Sequence, residues 1–216
     1  MIRPFVSHLV PLALSLALLS PAHAAPGAAH EELNFTVLRN GDTVGQHVIV
    51  IDRSRDQTLV KVNTGIVVKV AFVPVYRFEH QGEERWTGEQ LAYLASTTND
   101  DGTRHRLLAQ AGPAGLAVQG DGKTTEAAKD IVPASLWNPR LVTSQQLLNT
   151  LDGSQMAVQV ADAGTETVEV RHRPTPAHHY VVTGALQREL WYAGDGTLVK
   201  VRFKAKDNSE IVYELR

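Results

Sequence analysis

Residues 75–86, VYRFEHQGEERW, gather Arg77, Glu79, His80, Glu83, Glu84 and Arg85 among the aromatic residues Tyr76, Phe78 and Trp86, in a chain that is only 20% charged. A histidine beside a carboxylate at the rim of an apolar surface is sufficient for general acid–base chemistry, because the carboxylate orients the ring and raises its basicity. If strand parity carries through Pro74, the even positions Tyr76, Phe78 and His80 end an apolar face. Gln81-Gly82 then reads as a turn that returns Glu84 and Trp86 opposite His80. His80 and Glu84 are thereby expected to be neighbours, either as an acid–base pair or, the preferred reading, as a structural cap in which the ring hydrogen-bonds the carboxylate. One imidazole and one or two carboxylates do not fill a four-ligand zinc shell, and the spacing is not HExxH, so no metal site and no cofactor is expected.

Other chemistry-bearing residues give weaker signals. His178-His179 falls in an extended segment where adjacent side chains face opposite ways, so the pair is not expected to chelate as a unit. Ser135 lacks the G-x-S-x-G elbow of a hydrolase nucleophile. The Asp-Gly pairs at 101, 121, 152 and 195 are explained by turns. Trp86, Trp137 and Trp191 read first as core residues. The ligand-binding candidates are Tyr76, Phe78, His80, Glu84, Trp86 and Trp137.

The elements needed to position these residues read as strands. Asn40-Gly41 separates NFTVLR from TVGQHVIVI, and NDDG at 99–102, GDG at 120–122, ADAG at 161–164, GDG at 194–196 and KDNS at 206–209 mark further turns. In TLVKVRFKA, Val199, Val201, Phe203 and Ala205 share one face while Lys200, Arg202 and Lys204 share the other, and Ile211, Tyr213 and Leu215 repeat the pattern in a final hairpin. From Leu59 the even positions Val60, Val62, Thr64, Ile66, Val68, Val70 and Phe72 form one long apolar face, which predicts a buried Phe72 and a strongly twisted sheet. NPRLVTSQQLLNTLDG at 138–153 predicts one helix, capped by Asn138, with Pro139 at its first position, Gly153 past its end and Leu141, Leu147, Leu148 and Leu151 on its apolar stripe. The expected fold is mainly β: a strongly curled antiparallel sheet, half-barrel or barrel-like, with one packed α-helix.

The ends bound the location. Arg3, the apolar run from Leu9 to Leu19 and the small-residue site Ala22-His23-Ala24 read as a secretory signal cleaved after Ala24, the run being too short for a permanent membrane span. Residues 25–32 read as a flexible lead-in and 33–216 as a single β-rich domain. Removing residues 1–24 from the 216 leaves 192, enough for one substantial core, with a formal charge of −3 that recruits neither nucleic acid nor an anionic surface. The RHR triplets at 104–106 and 171–173 read as solvated strand ends. An exported chain without any cysteine holds together by burial and backbone pairing, which suits a periplasm.

Two blocks, YRFEHQGEERWTGEQLAYLASTTNDDG at 76–102 and DIVPASLWNPRLVTSQQLLNTLDG at 130–153, resemble a family of bacterial exported proteins catalogued as domain of unknown function 6134. Glu79, His80, Glu84 and Trp86, and Trp137, Asn138, Pro139, Leu147, Leu148 and Asn149, carry the match, which extends from about residue 33 to the C terminus. The resemblance implies export and one β-rich domain, and no activity. The pattern is also similar, at the level of fold alone, to the half-barrels of periplasmic lipoprotein carriers. The expected function is therefore a non-enzymatic periplasmic or secreted module that binds a hydrophobic or lipid-like molecule or an envelope partner. The alternatives are a metal-independent hydrolase or lyase using His80 and Glu84, and a purely structural envelope protein.

Overall fold

The structure, a computed structural model, describes residues 29–216. The proposed signal segment and residues 25–28 of the lead-in lie outside the described residues. Fifteen strands follow in chain order: β1 (Ala29–Arg39), β2 (Asp42–Arg53), β3 (Gln57–Val70), β4 (Val73–Thr87), β5 (Gln90–Asp100), β6 (Thr103–Ala111), β7 (Leu116–Gly120), β8 (Lys123–Ala127), β9 (Val132–Pro133), β10 (Gln146–Leu148), β11 (Gln155–Val170), β12 (Arg173–Gly184), β13 (Arg188–Ala193), β14 (Leu198–Lys204) and β15 (Glu210–Leu215). β1 thus begins inside the stretch read as a lead-in.

The strands form one sheet in the order β8-β7-β6-β5-β4-β3-β2-β1-β15-β14-β13-β12-β11-β10-β9, in which the last strand of the main meander closes back beside the first. Neighbours are antiparallel except β9 and β10. Short hairpins produce this meander. Asn40-Gly41, Asp101-Gly102 and Asp121-Gly122 each put two successive residues at positive φ, the twist that matches flanking antiparallel strands, so these turns form where the sequence places them. The β14–β15 hairpin also pairs as read, with Val199, Val201, Ile211 and Leu215 buried.

The expected architecture needs two corrections. The sheet is open, with β8 and β9 as its edges, rather than a strongly curled half-barrel or barrel. The described residues also contain no α-helix. Residues 138–153 form a five-residue 3-10 helix, Pro139–Thr143, then the strand β10 and a turn. Asn138 does cap, accepting from the Arg140 amide at 3.0 Å, but Thr143 and Ser144 turn their hydroxyls back onto the Arg140 carbonyl and end the helix. Leu147 and Leu148 reach the core from an extended backbone that pairs with β11.

Residues 128–154, which carry β9, the 3-10 helix and β10, run across the apolar face of the sheet. This segment is tied to β4 by the Trp137 indole on Glu84, to β5 by Ser96 Oγ donating to the Thr150 carbonyl at 2.5 Å, and to β13 by the Tyr192 hydroxyl donating to the Leu136 carbonyl at 2.7 Å. Gly120 permits the approach at β7, since a Cβ there would collide with the Asp152 carbonyl. Between segment and sheet lies one apolar cluster that includes Phe35, Ile49, Val62, Leu94, Leu107, Leu141, Leu148 and Val201.

The β3–β4 hairpin corrects a third expectation. β3 stops at Val70, Ala71 and Phe72 form the turn at φ 49° and 70°, and Phe72 is 95% exposed rather than buried. β4 continues without a break to Thr87, so Gln81-Gly82 is mid-strand and not a turn. ADAG at 161–164 is likewise a bulge inside β11 rather than a hairpin.

Candidate functional site

Strand register places a row of alternating imidazoles and hydroxyls across the covered face. His47 on β2 pairs with Thr64 on β3, Thr64 with His80 on β4, His80 with Thr98 on β5, and Thr98 with His105 on β6. Cross-strand partners share a face, so all five side chains point the same way. Each ring engages the acceptor or hydroxyl on its next strand or turn: His47 Nδ1 lies 2.7 Å from Thr64 Oγ1, His80 Nδ1 2.7 Å from Thr98 Oγ1, and His105 Nδ1 2.5 Å from Asp121 Oδ2. Burial pushes His47 down to about 3, helped by the nearby His80, and pushes His80 down to about 4. Both rings are therefore neutral at neutral pH.

His80 and Glu84 do not meet. They lie four residues apart on one uninterrupted strand, roughly 13 Å at 3.3 Å per residue, and each has other partners. Glu84 Oε2 accepts from the Trp86 indole at 2.8 Å and from the Trp137 indole at 2.9 Å, with both indoles buried. Burial pushes the Glu84 carboxyl above the ordinary range, opposed by its contacts with Ser135, Trp137 and Trp86. This clamp fixes residues 128–154 to β4, and it leaves the proposed acid–base pair without a geometry.

A cavity of about 280 Å³ opens between the crossing segment and the sheet. Phe78 and His80 line it, together with His47 and Thr64 from the imidazole row, Leu136, Leu151 and Met156 from the crossing segment and β11, and Arg188, Phe203 and Tyr213 from β13 to β15. Of the six residues proposed from sequence, Phe78 and His80 thus reach the cavity. Glu84, Trp86 and Trp137 form the clamp instead, and the Tyr76 hydroxyl turns to Asp100 at 2.8 Å.

Arg188 and His47 carry no sequence signal as cavity residues, because the strands that bring them to one cavity lie more than 140 positions apart in the chain. The Arg188 guanidinium lies 3.7 Å from the centroid of the Phe203 ring, and its hydrogen bond is from Nη1 to the carbonyl of Gln187 at 2.7 Å. A second group on the opposite face was also undervalued: His179 sits between Glu166 and Glu189, 3.0 Å from each, and stacks on Trp191 at 4.1 Å. Arg202 closes on Glu189 with two hydrogen bonds, and the Trp191 indole donates to Glu166 at 3.0 Å. His178 faces away from this cluster and pairs with Asp162, so the adjacent histidines act separately.

The fold and site define an open all-β protein with a covered cavity whose described residues include no helix long and apolar enough to cross a membrane. The chain belongs to the family described as domain of unknown function (DUF6134), whose model matches residues 35–216. No curated protein matches it.

Proposed function

We propose that the protein is exported, loses residues 1–24, and acts as a non-enzymatic binding protein for a small molecule with an apolar body. The observation that carries this reading is the cavity of about 280 Å³ beneath residues 128–154, close to the lower end of the usual size range for small-molecule pockets. Val62, Phe78, Leu136, Met156, Leu186 and Phe203 give it an apolar wall, and Thr64, His47 and His80 give it a few convergent polar groups. An apolar wall joined by convergent polar groups is the usual chemistry of a small-molecule pocket. Hydrolysis is the weaker reading, because His80 bonds Thr98 and Glu84 bonds two indoles.

Titration of the mature chain with 1-octanol, followed through backbone amide chemical shifts, tests the proposal. Saturable shifts concentrated at Phe78, Leu136, Met156 and Phe203 are expected. No saturable shift, or shifts confined to the face bearing Lys200 and Arg202, would overturn it.

A further inference from the structure

We infer that the molecule held in the cavity is a carboxylate on a short apolar body, its charged end seated against Arg188. The inference rests on the cavity being a binding site and adds the chemical class of what binds.

Arg188 lines the cavity with no carboxylate beside it. Arg39, Arg53, Arg77, Arg85 and Arg202 each form an ion pair with a carboxylate, whereas Arg188 has no such partner among the described residues. A guanidinium carries five N–H donors in a fork suited to a carboxylate, and the protein occupies one of them with the Gln187 carbonyl. The group is drawn inward over Phe203, and burial pushes its pKa down, the penalty expected of a cation without a counter-charge. The protein supplies none from the cavity wall. His47 and His80 are neutral there, Tyr213 is held in its neutral phenol form by burial, and the lining contains no aspartate or glutamate.

His47 lines the same cavity. Its Nε2 is buried without any hydrogen-bond partner, a state rare for buried polar atoms in folded proteins. Tyr213 and Phe203 lie between it and Arg188: His47 packs on Tyr213 with ring centroids 5.2 Å apart, Tyr213 on Phe203 at 5.9 Å, and Phe203 carries Arg188. The paired N–H donors of the Arg188 fork match the two oxygens of a carboxylate. The cavity equals roughly nine water volumes at ~30 Å³ each, which limits the body to about the size of an eight-carbon chain.

Isothermal titration of the mature chain with octanoate and with 1-octanol separates the claims. Octanoate is expected to bind the native protein at least about tenfold more tightly than 1-octanol, the margin of a charge-assisted pair. Arg188→Met should erase that preference, while Arg39→Met, which changes a surface pair, should keep it. Equal affinity of the native protein for both compounds would overturn the carboxylate inference and leave the cavity reading standing. So would an octanoate preference that survives in Arg188→Met. Binding of neither compound would overturn both. The comparison on the native protein needs no variant, so it decides even where Arg188→Met fails to fold.

Discussion

The indoles of Trp86 and Trp137 meet edge to face, with centroids 5.8 Å apart and planes at 87°, and both donate to the same oxygen of Glu84. A strand residue and a residue of the crossing segment are thereby locked through one buried carboxylate. Removing that carboxylate orphans two buried donors, each worth about 1–3 kcal/mol. Glu84→Ala should therefore destabilise the protein by roughly 2–5 kcal/mol in chemical denaturation. Glu84→Gln, which keeps an acceptor oxygen, should stay within about 1.5 kcal/mol of the native protein near pH 5. Similar losses for both would show that the clamp is not what matters there.

The same carboxylate sets a pH dependence of known sign. Its folded pKa lies above the ordinary value of 4.5, so the native state holds the proton more tightly than the unfolded chain. Its contribution to stability is present below pH 4.5 and is lost as pH rises through the folded pKa. Glu84→Gln removes this loss, so the variant should gain on the native protein as the pH is raised from 4.5 toward 8. Parallel stability curves would contradict it.

His47 and His80 act in the opposite sense. Their folded pKa values, about 3 and about 4, lie below the ordinary 6.5, so the unfolded chain binds the protons first. Their contribution is complete above pH 6.5 and declines as pH falls toward 4 and then 3, at about 1.4 kcal/mol per pH unit for each ring. Glu84 opposes this above pH 4.5, so the Glu84→Gln background gives the cleaner measurement. In that background His80→Gln should reduce the acid-side slope by about one proton; an unchanged slope would mean that His80 is not held neutral.

Phe72, at the tip of a protruding hairpin, should be replaceable. Phe72→Ala is expected to change stability by less than about 0.5 kcal/mol, as at other exposed sites, whereas Ile49→Ala, fully buried on β2, should cost roughly 2–5 kcal/mol. Equal losses in the two denaturation curves would contradict the strand assignment.

The contrast with the sequence reading is physical. Turns with Asn-Gly or Asp-Gly declare themselves because those residues tolerate positive φ cheaply, and the alternation in β14 and β15 is visible because one face is wet. The Ala71-Phe72 turn carries no such signature, so parity ran through it and buried Phe72 on paper. Residues 138–153 carry genuine helix-start signals, and tertiary pairing of Leu147 and Leu148 with β11 overrides the rest. Phe78 and His80 were legible as cavity residues because they continue an apolar face. Arg188 was not, since Phe203 and Tyr213 come beside it only once β13, β14 and β15 are in register.

Native mass spectrometry of the protein purified from its own host, beside Met156→Trp prepared in the same way, decides whether the cavity binds. The expected species is a chain beginning at Ala25 that carries one small molecule, released on activation as a carboxylate anion, with no such adduct on Met156→Trp, whose added ring fills the cavity. Native protein found only at its own unliganded mass, or an adduct that persists on Met156→Trp, would contradict the claim that this cavity is a binding site.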